Sequence, residues 1–169
     1  MDKITNQQII ADLQAQFGDT AIYGVGESHG ILQVTVGTDT IVPLIHYLYQ
    51  HADFKFQFLT DLAGIHFPDA KGQELGVIYH LHSLENNVRI WIKAYAPIEN
   101  PVFPTITGLY ATANWMEREA FDFYGIIFEG HPNLKRILNM DELDYFPMRK
   151  EYPVEDATRH DKIDELFGR

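Results

Sequence analysis

The stretch ELGVIYHLHSLENNVRIWIKAYAP, residues 74–97, constrains the fold more than any other. Two runs rich in β-branched and aromatic residues flank Glu85-Asn86-Asn87, a polar connection short enough to force a hairpin. Alternation along the first run sends Tyr79 and Leu81, with Leu84 beyond them, to a core-facing side, and His80 and His82 to the other. FKFQFLTDLAGIHF, residues 54–67, is a further extended run, and AIYGVGESHGILQVTVG, residues 21–37, reads as two strands about a glycine turn. In the latter, Leu32, Val34 and Val36 alternate with Gln33 and Thr35.

Helices fit between these runs. Residues 5–17 form an amphipathic helix capped by Thr5 or Asn6, with Ile9, Ile10, Leu13 and Phe17 on its apolar side and Gly18 at its end. A second helix covers Thr40 to Gln50, with Pro43 in its first turn. A third covers Ala111–Tyr124 and stops at Gly125. The order helix, strand, strand, helix, three strands, helix predicts an α+β fold with a mostly antiparallel sheet and packed helices.

This globular domain is expected over residues 1–140. From Asp141 the chain is charged, broken by Pro147 and Pro153, and poor in aliphatic residues. Residues 141–169 therefore read as an extended C-terminal arm that docks on a partner subunit.

Charge and composition exclude several roles. The 24 Asp+Glu against 13 Lys+Arg give a formal charge of −11, unsuited to binding nucleic acid. Without any cysteine the chain can form no disulfide and no thiolate-ligated zinc or iron–sulfur centre. The N-terminal MDKITNQQIIADLQ lacks the apolar run of a signal peptide, and no apolar stretch approaches the ~20 residues of a membrane span. A soluble chain is expected, reaching a membrane only through partners.

HExxH and SxxK do not occur. GVGESHG, residues 24–30, carries the letters of GxSxG at Gly26–Gly30, but it reads as a hairpin turn and has neither the spacing nor the lysine of a phosphate loop. His80 and His82 share a strand face and could ligate a metal if a third ligand approached, but ordinary half-exposed histidines explain them better.

The densest chemistry lies in WMEREAFDFYGIIFEGHPNLKRIL, residues 115–138. On a helical wheel Met116, Ala120, Phe123 and Tyr124 form an apolar arc widened by Phe121, while Trp115, Arg118, Glu119 and Asp122 face away. Arg118 and Asp122 stand one turn apart, where they can pair with each other. Glu117 falls inside the arc. A carboxylate there needs a cation or several donors, and Arg136, Arg149, Arg89 and His131 are the candidates. Breaking such a buried pair costs ~3–5 kcal/mol. A catalytic acid is the competing reading, but Glu119 points some 160° away on the wheel, so no second carboxylate joins Glu117 from this helix. The structural reading is preferred. Beyond Gly125, a short strand and a corner at Pro132 deliver Lys135 and Arg136 beside Ile137 and Leu138.

A wider pattern runs through these residues. Asn114-Trp115, Glu117-Arg118-Glu119-Ala120-Phe121-Asp122, Gly125-Ile126, Phe128, Gly130-His131-Pro132, Leu134 and Arg136-Ile137-Leu138 resemble the signature of the C subunit of respiratory complex I, the proton-pumping NADH:quinone oxidoreductase. LTDLAGIHFP, VIYHLHSLENNVRIWIK and PMRKEYP, the last contributing Arg149, Lys150, Tyr152 and Pro153, resemble family segments in the same order. Small departures stand at His66-Phe67-Pro68, where Asp-Tyr-Pro is common, and at Trp91 and Tyr95, where smaller aliphatic or basic residues are usual. The chain ends soon after PMRKEYP, and the form not fused to the neighbouring D subunit is expected.

The resemblance implies a subunit of the hydrophilic arm near its quinone end, peripheral on the cytoplasmic side of the bacterial inner membrane. It implies partners among the D, B and I subunits of the complex, with the signature residues serving docking. It implies no cofactor, metal or catalytic residue in this chain, with FMN and the iron–sulfur clusters carried by other subunits. Two alternatives stand beside it: the corresponding subunit of an energy-converting hydrogenase, and a stand-alone hydrolase using Glu117 with His131 or a metal at His80 and His82.

Overall fold

The computed structural model describes residues 4–152. Its elements run α1 (Asn6–Phe17), β1 (Ile22–Ser28), β2 (Ile31–Val36), α2 (Ile41–Gln50), β3 (Phe58–His66), β4 (Leu75–Ser83), β5 (Val88–Ala96), β6 (Val102–Pro104), α3 (Ala113–Tyr124) and β7 (Ile127–Glu129). The fold is α+β, as the pattern of runs requires.

Each boundary has a local cause. A capping box starts α1: the Thr5 hydroxyl accepts from the Gln8 N–H, and the Gln8 side chain reaches back to the Thr5 N–H. Gly18 ends that helix by donating to the Gln14 carbonyl. Most of the GVGESHG segment is paired strand, Gly24 to Ser28 of β1, and the β1–β2 turn itself is His29 and Gly30, both in left-handed conformations. At the β4–β5 turn the Asn86 carboxamide donates to the Ser83 hydroxyl and to the Asp53 and Phe54 carbonyls, so this hairpin end is tied to the chain before β3. That geometry corrects one expectation. Leu84 is 65% exposed, because it lies in the turn beyond the last paired residue, Ser83, rather than on the core face.

The main sheet has the order β1-β2-β5-β4-β3. Its hairpins β1–β2, β3–β4 and β4–β5 are antiparallel, and the β2–β5 junction is parallel, with Leu32 opposite Ile90 and Val34 opposite Ile92. Packed against one face are Ile9 and Leu13 of α1 and Leu44, Ile45 and Leu48 of α2, all essentially inaccessible to solvent. β6 and β7 form a separate parallel pair bracketing α3, which periodicity did not anticipate: three-residue strands are too short to show alternation.

α3 lies close against β3. Ala120 is buried at this contact, and Gly64 gives it room, since a Cβ on Gly64 would stand 2.6 Å from the Tyr124 ring. Gly125 ends α3 at φ 74° with its N–H on the Phe121 carbonyl. The chain returns over this end. Met148 N–H donates to the Phe123 carbonyl and Arg149 Nε to the Tyr124 carbonyl, partners for carbonyls that a helix end leaves open. Lys150 N–H donates to Nδ1 of the buried His66. Thus residues 141–152 rest on their own domain, while the rest of the arm, from Pro153, lies outside the described residues.

Gly125 and Gly30 have nearly the same φ, 74° and 76°, but a Cβ on Gly125 would stand 2.5 Å from the Phe146 ring, whereas Gly30 faces open space. We expect Gly30→Ala to cost about 1–2 kcal/mol through its left-handed backbone alone. Gly125→Ala should cost clearly more. Equal melting temperatures for the two variants would show that the returning segment does not press on the helix end.

Candidate functional site

The signature residues converge on α3 and the segment wrapped around it. Asp122 is fully buried. Its Oδ2 accepts three consecutive backbone N–H groups, from Ile137 (3.1 Å), Leu138 (2.8 Å) and Asn139 (2.9 Å). Its Oδ1 accepts from Arg136 Nη1 at 2.8 Å and from the Asn139 carboxamide at 3.1 Å. Burial by itself would raise this carboxyl, but the three N–H donors and the guanidinium outweigh it and hold Asp122 well below the usual carboxylate range.

Arg118, one turn earlier, works on the same segment from the other direction. Its Nε donates to the Lys135 carbonyl and its Nη2 to the Arg136 carbonyl, both at 3.0 Å, while its guanidinium lies over the half-exposed Trp115 ring. The sequence expectation paired Arg118 with Asp122, with both on the polar side of α3. The structure corrects this: each grips the backbone of residues 135–139, Arg118 by donating and Asp122 by accepting. The wheel placed Asp122 outside because it registers only the sheet-facing stripe, and the 135–139 segment buries the opposite side of the helix.

Arg136 extends the grip. Its Nη2 donates to the Leu143 carbonyl at 2.8 Å and its guanidinium sits 5.3 Å from the centre of the Phe146 ring. Arg149 stacks on the same ring at 4.7 Å. Two cations therefore lie against one aromatic that covers Gly125, so Asp122, Arg136, Phe146 and Arg149 form one connected unit.

Glu117 is buried as expected, but its partners are not. Oε2 accepts from the Thr105 hydroxyl at 2.6 Å and Oε1 from the Ile106 N–H at 2.8 Å. His131 Nε2 is 4.0 Å away and closer to the Asn114 carbonyl, at 3.2 Å. With its Nδ1 accepting from Asn133 N–H, His131 fits the neutral Nε2–H tautomer. No guanidinium reaches Glu117: Arg136 serves Asp122, Arg149 serves the Tyr124 carbonyl, and Arg89 is exposed on β5. Burial outweighs the two hydrogen bonds and pushes the Glu117 carboxyl up to about 7.

The remaining signature residues take simple places. Phe128 is buried and Phe121 and Leu134 half-buried, while Glu119, Gly130, Pro132, Lys150 and Tyr152 are exposed. Tyr152 packs beside Tyr145, with ring centres 4.8 Å apart, and Pro153 lies outside the described residues. Thr105, Ile106 and Asn139 went unnoticed in the sequence because they act as local donors, which no spacing rule marks.

Chemically this arrangement holds backbone in place. Glu117 and the His131 ring are both closed to solvent, so a substrate cannot meet the pair. At the other candidate, His80 lies against Trp91 with ring centres 4.8 Å apart and planes tilted by 41°, and no group of three carboxylates or imidazoles placed to hold a metal occurs among the described residues.

The two buried acids should respond oppositely to pH. Asp122 is held below its unfolded value, so its stabilisation is present above about pH 4 and lost as the pH falls further. Asp122→Ala should cost ~3–5 kcal/mol at pH 7, leaving Arg136 and three N–H groups without their acceptor. A loss below about 1 kcal/mol in urea melts would overturn that role. Glu117 is held above its unfolded value, so stability declines between pH ~4.5 and the value of about 7, then levels. Glu117→Gln keeps an acceptor for Ile106 and places a donor toward Thr105, at a cost of about 1 kcal/mol or less. Melts of the parent and the variant at pH 5 and pH 8 should show the variant gaining on the parent as pH rises; parallel curves would exclude the buried titration.

Comparison with known proteins gives this arrangement a family. Residues 34–158 match the family described as respiratory-chain NADH dehydrogenase, 30 Kd subunit. The chain is 43% identical over 135 residues to the NADH-quinone oxidoreductase C subunit 2 of Rhizobium meliloti (strain 1021), a match covering 79% of this chain and 72% of that protein. With the NADH-quinone oxidoreductase C subunit of Roseiflexus sp. (strain RS-1) it shares 39% identity over 153 residues, covering 89% and 86%. A solved trypsin-resistant fragment of Nqo5 superposes with TM-score 0.62 at 30% identity, covering 76% of this chain and 98% of that one. A chain of an archaeal membrane-bound sulfane sulfur reductase shares the fold, with TM-score 0.72 at 19% identity over 88% and 85% of the two chains. By the family match and these identities, the chain belongs to the respiratory-chain NADH dehydrogenase 30 kDa subunit family, whose members include the C subunit of NADH-quinone oxidoreductase.

Proposed function

We propose that the chain is a structural subunit of an NADH-quinone oxidoreductase, with no catalytic group of its own. The observation that carries this reading is where the signature chemistry is spent. Arg118, Asp122 and Arg136 are committed to backbone carbonyls, backbone N–H groups and one another. Glu117 is sealed from solvent. Such residues fix the shape of a surface; they do not transform a ligand.

The hydride and electron steps of the assembly, with FMN and iron–sulfur clusters, then belong to other subunits. No helix among the described residues is long and apolar enough to cross a membrane. Membrane association on this reading is peripheral, through the complex, on the cytoplasmic side. Its neighbours would be the D, B and I subunits. The rigid corner at Gly130-His131-Pro132 and the segment on α3 would direct the arm beyond Tyr152 toward them, with exposed Leu138, Met140 and Met148 offering apolar contact.

Tagging tests both halves of the proposal. The full chain, tagged and expressed in its own host, should co-purify NADH:quinone oxidoreductase activity. A chain ending at Tyr152 should melt as the full chain does yet recover at least tenfold less of that activity. Absence of activity with the full chain would reject the subunit role, and equal recovery with both would reject docking by the arm.

A further inference from the structure

The main sheet has one face packed by helices and a second that is not. Cross-strand register places Gln33, Trp91, His80 and Asp61 in one row of this second face, and Thr35, Lys93 and Ile78 in the next. The side chains named on these rows are half-buried or exposed, in contrast to the inaccessible Val34, Ile92 and Tyr79 on the opposite face.

Two features set the open face apart. The first is its aromatic surface. Trp91 and His80 lie 4.8 Å apart between ring centres, and Tyr95 lies close over Gly76, where a Cβ would come within 2.6 Å of the ring. Phe67, itself 49% exposed, continues the patch with its ring centre 6.3 Å from that of Tyr95. The second is its charge. Lys93 spends its ammonium on the neutral Gln33 carboxamide, and neither Lys93 nor Arg89, exposed at the hairpin end of β5, has a carboxylate within ion-pair distance among the described residues. The acids near them stand at the margins, Asp61 at the β3 edge and Asp39 beside Tyr23, a neighbour of Tyr95. In a chain with 24 acidic and 13 basic residues, two cations without an ion-pair partner set this face apart.

Aromatic side chains beside cations that lack an ion-pair partner favour a protein surface with carboxylates beside apolar groups. A second copy is disfavoured, because a two-fold contact would bring like cations toward each other. Nucleic acid is disfavoured by the net charge of −11 and by only two fixed cations on the face. Four strands by three alternating positions span about 19 Å by 20 Å, roughly half of what a standard interface buries per partner. The face therefore suits one part of a larger contact.

We propose that the open face, centred on Trp91, Lys93 and Tyr95, docks a segment of another protein whose carboxylates meet Lys93 and Arg89 while an apolar side chain lies on the rings. The test uses the full chain in its own host with a benzophenone amino acid in place of Tyr95, and in place of Leu84 as a control at an exposed turn. Irradiation should join position 95 to a peptide of another protein with two or more Asp or Glu within a few residues of the attachment point. Arg89→Glu, and separately Lys93→Gln, should each lower that yield at least threefold, and together at least tenfold, with the melting temperature unchanged. If Lys93→Gln melts early, Arg89→Glu alone decides, since Arg89 is exposed. A yield no higher than at Leu84, a product with a second copy, nucleic acid or lipid, or a yield indifferent to Arg89→Glu would overturn the proposal. Recovery of NADH:quinone activity with the unmodified chain is read separately, so failure of this face is distinguishable from failure of the subunit role.

Discussion

Asp122 is the interaction on which the second half of the structure depends. One carboxylate oxygen collects three consecutive N–H groups, a geometry that exists only if residues 137–139 curl around it. The other oxygen orients Arg136, and Arg136 in turn holds the Leu143 carbonyl and one side of Phe146. Phe146 then closes over Gly125, the end of the helix that carries Asp122. The chain of contacts is a loop that begins and ends on α3. A charge buried this deeply is tolerable because its donors are mostly fixed backbone, which asks little side-chain ordering in return.

Glu117 makes the instructive contrast. Both acids sit on α3, both have no exposed surface, and they are five residues apart. Asp122 has five donors of three kinds, one of them cationic, and stays ionised; Glu117 has two neutral donors and is drawn toward neutrality. Burial alone therefore says nothing about charge state. The number and kind of donors decide it.

Much of this was legible in the sequence. The alternation in residues 74–97 yields the central hairpin directly, and the capping pattern at Thr5 and the glycine at 125 bound their helices to within a residue or so. The burial of Glu117 followed from its angle on the wheel. What failed was partner assignment. Choosing a cation for Glu117 meant choosing among arginines by chemistry alone, while the actual donors, Thr105 and Ile106, come from a loop whose path depends on the β6–β7 pair. Asp122 failed for a related reason: a wheel has one buried side, and α3 has two, the second made by residues C-terminal to it. Periodicity reads the layer a helix leans on. It does not read the segment that later wraps over it.

That second layer bears on why this chain carries so many rare residue types in sequence. A surface that must fit a partner needs its backbone fixed as firmly as an active site needs its side chains fixed, and the physical means are the same. Residues 135–152 are short of aliphatic mass and could not hold one conformation by hydrophobic burial. Charge-assisted bonds to the backbone replace that burial, and they require particular side chains at particular places. Arg118, Asp122, Arg136 and Arg149 meet that requirement from both sides of Gly125. The density of acids and bases that first suggests catalysis is, on this geometry, the cost of holding a polar segment rigid.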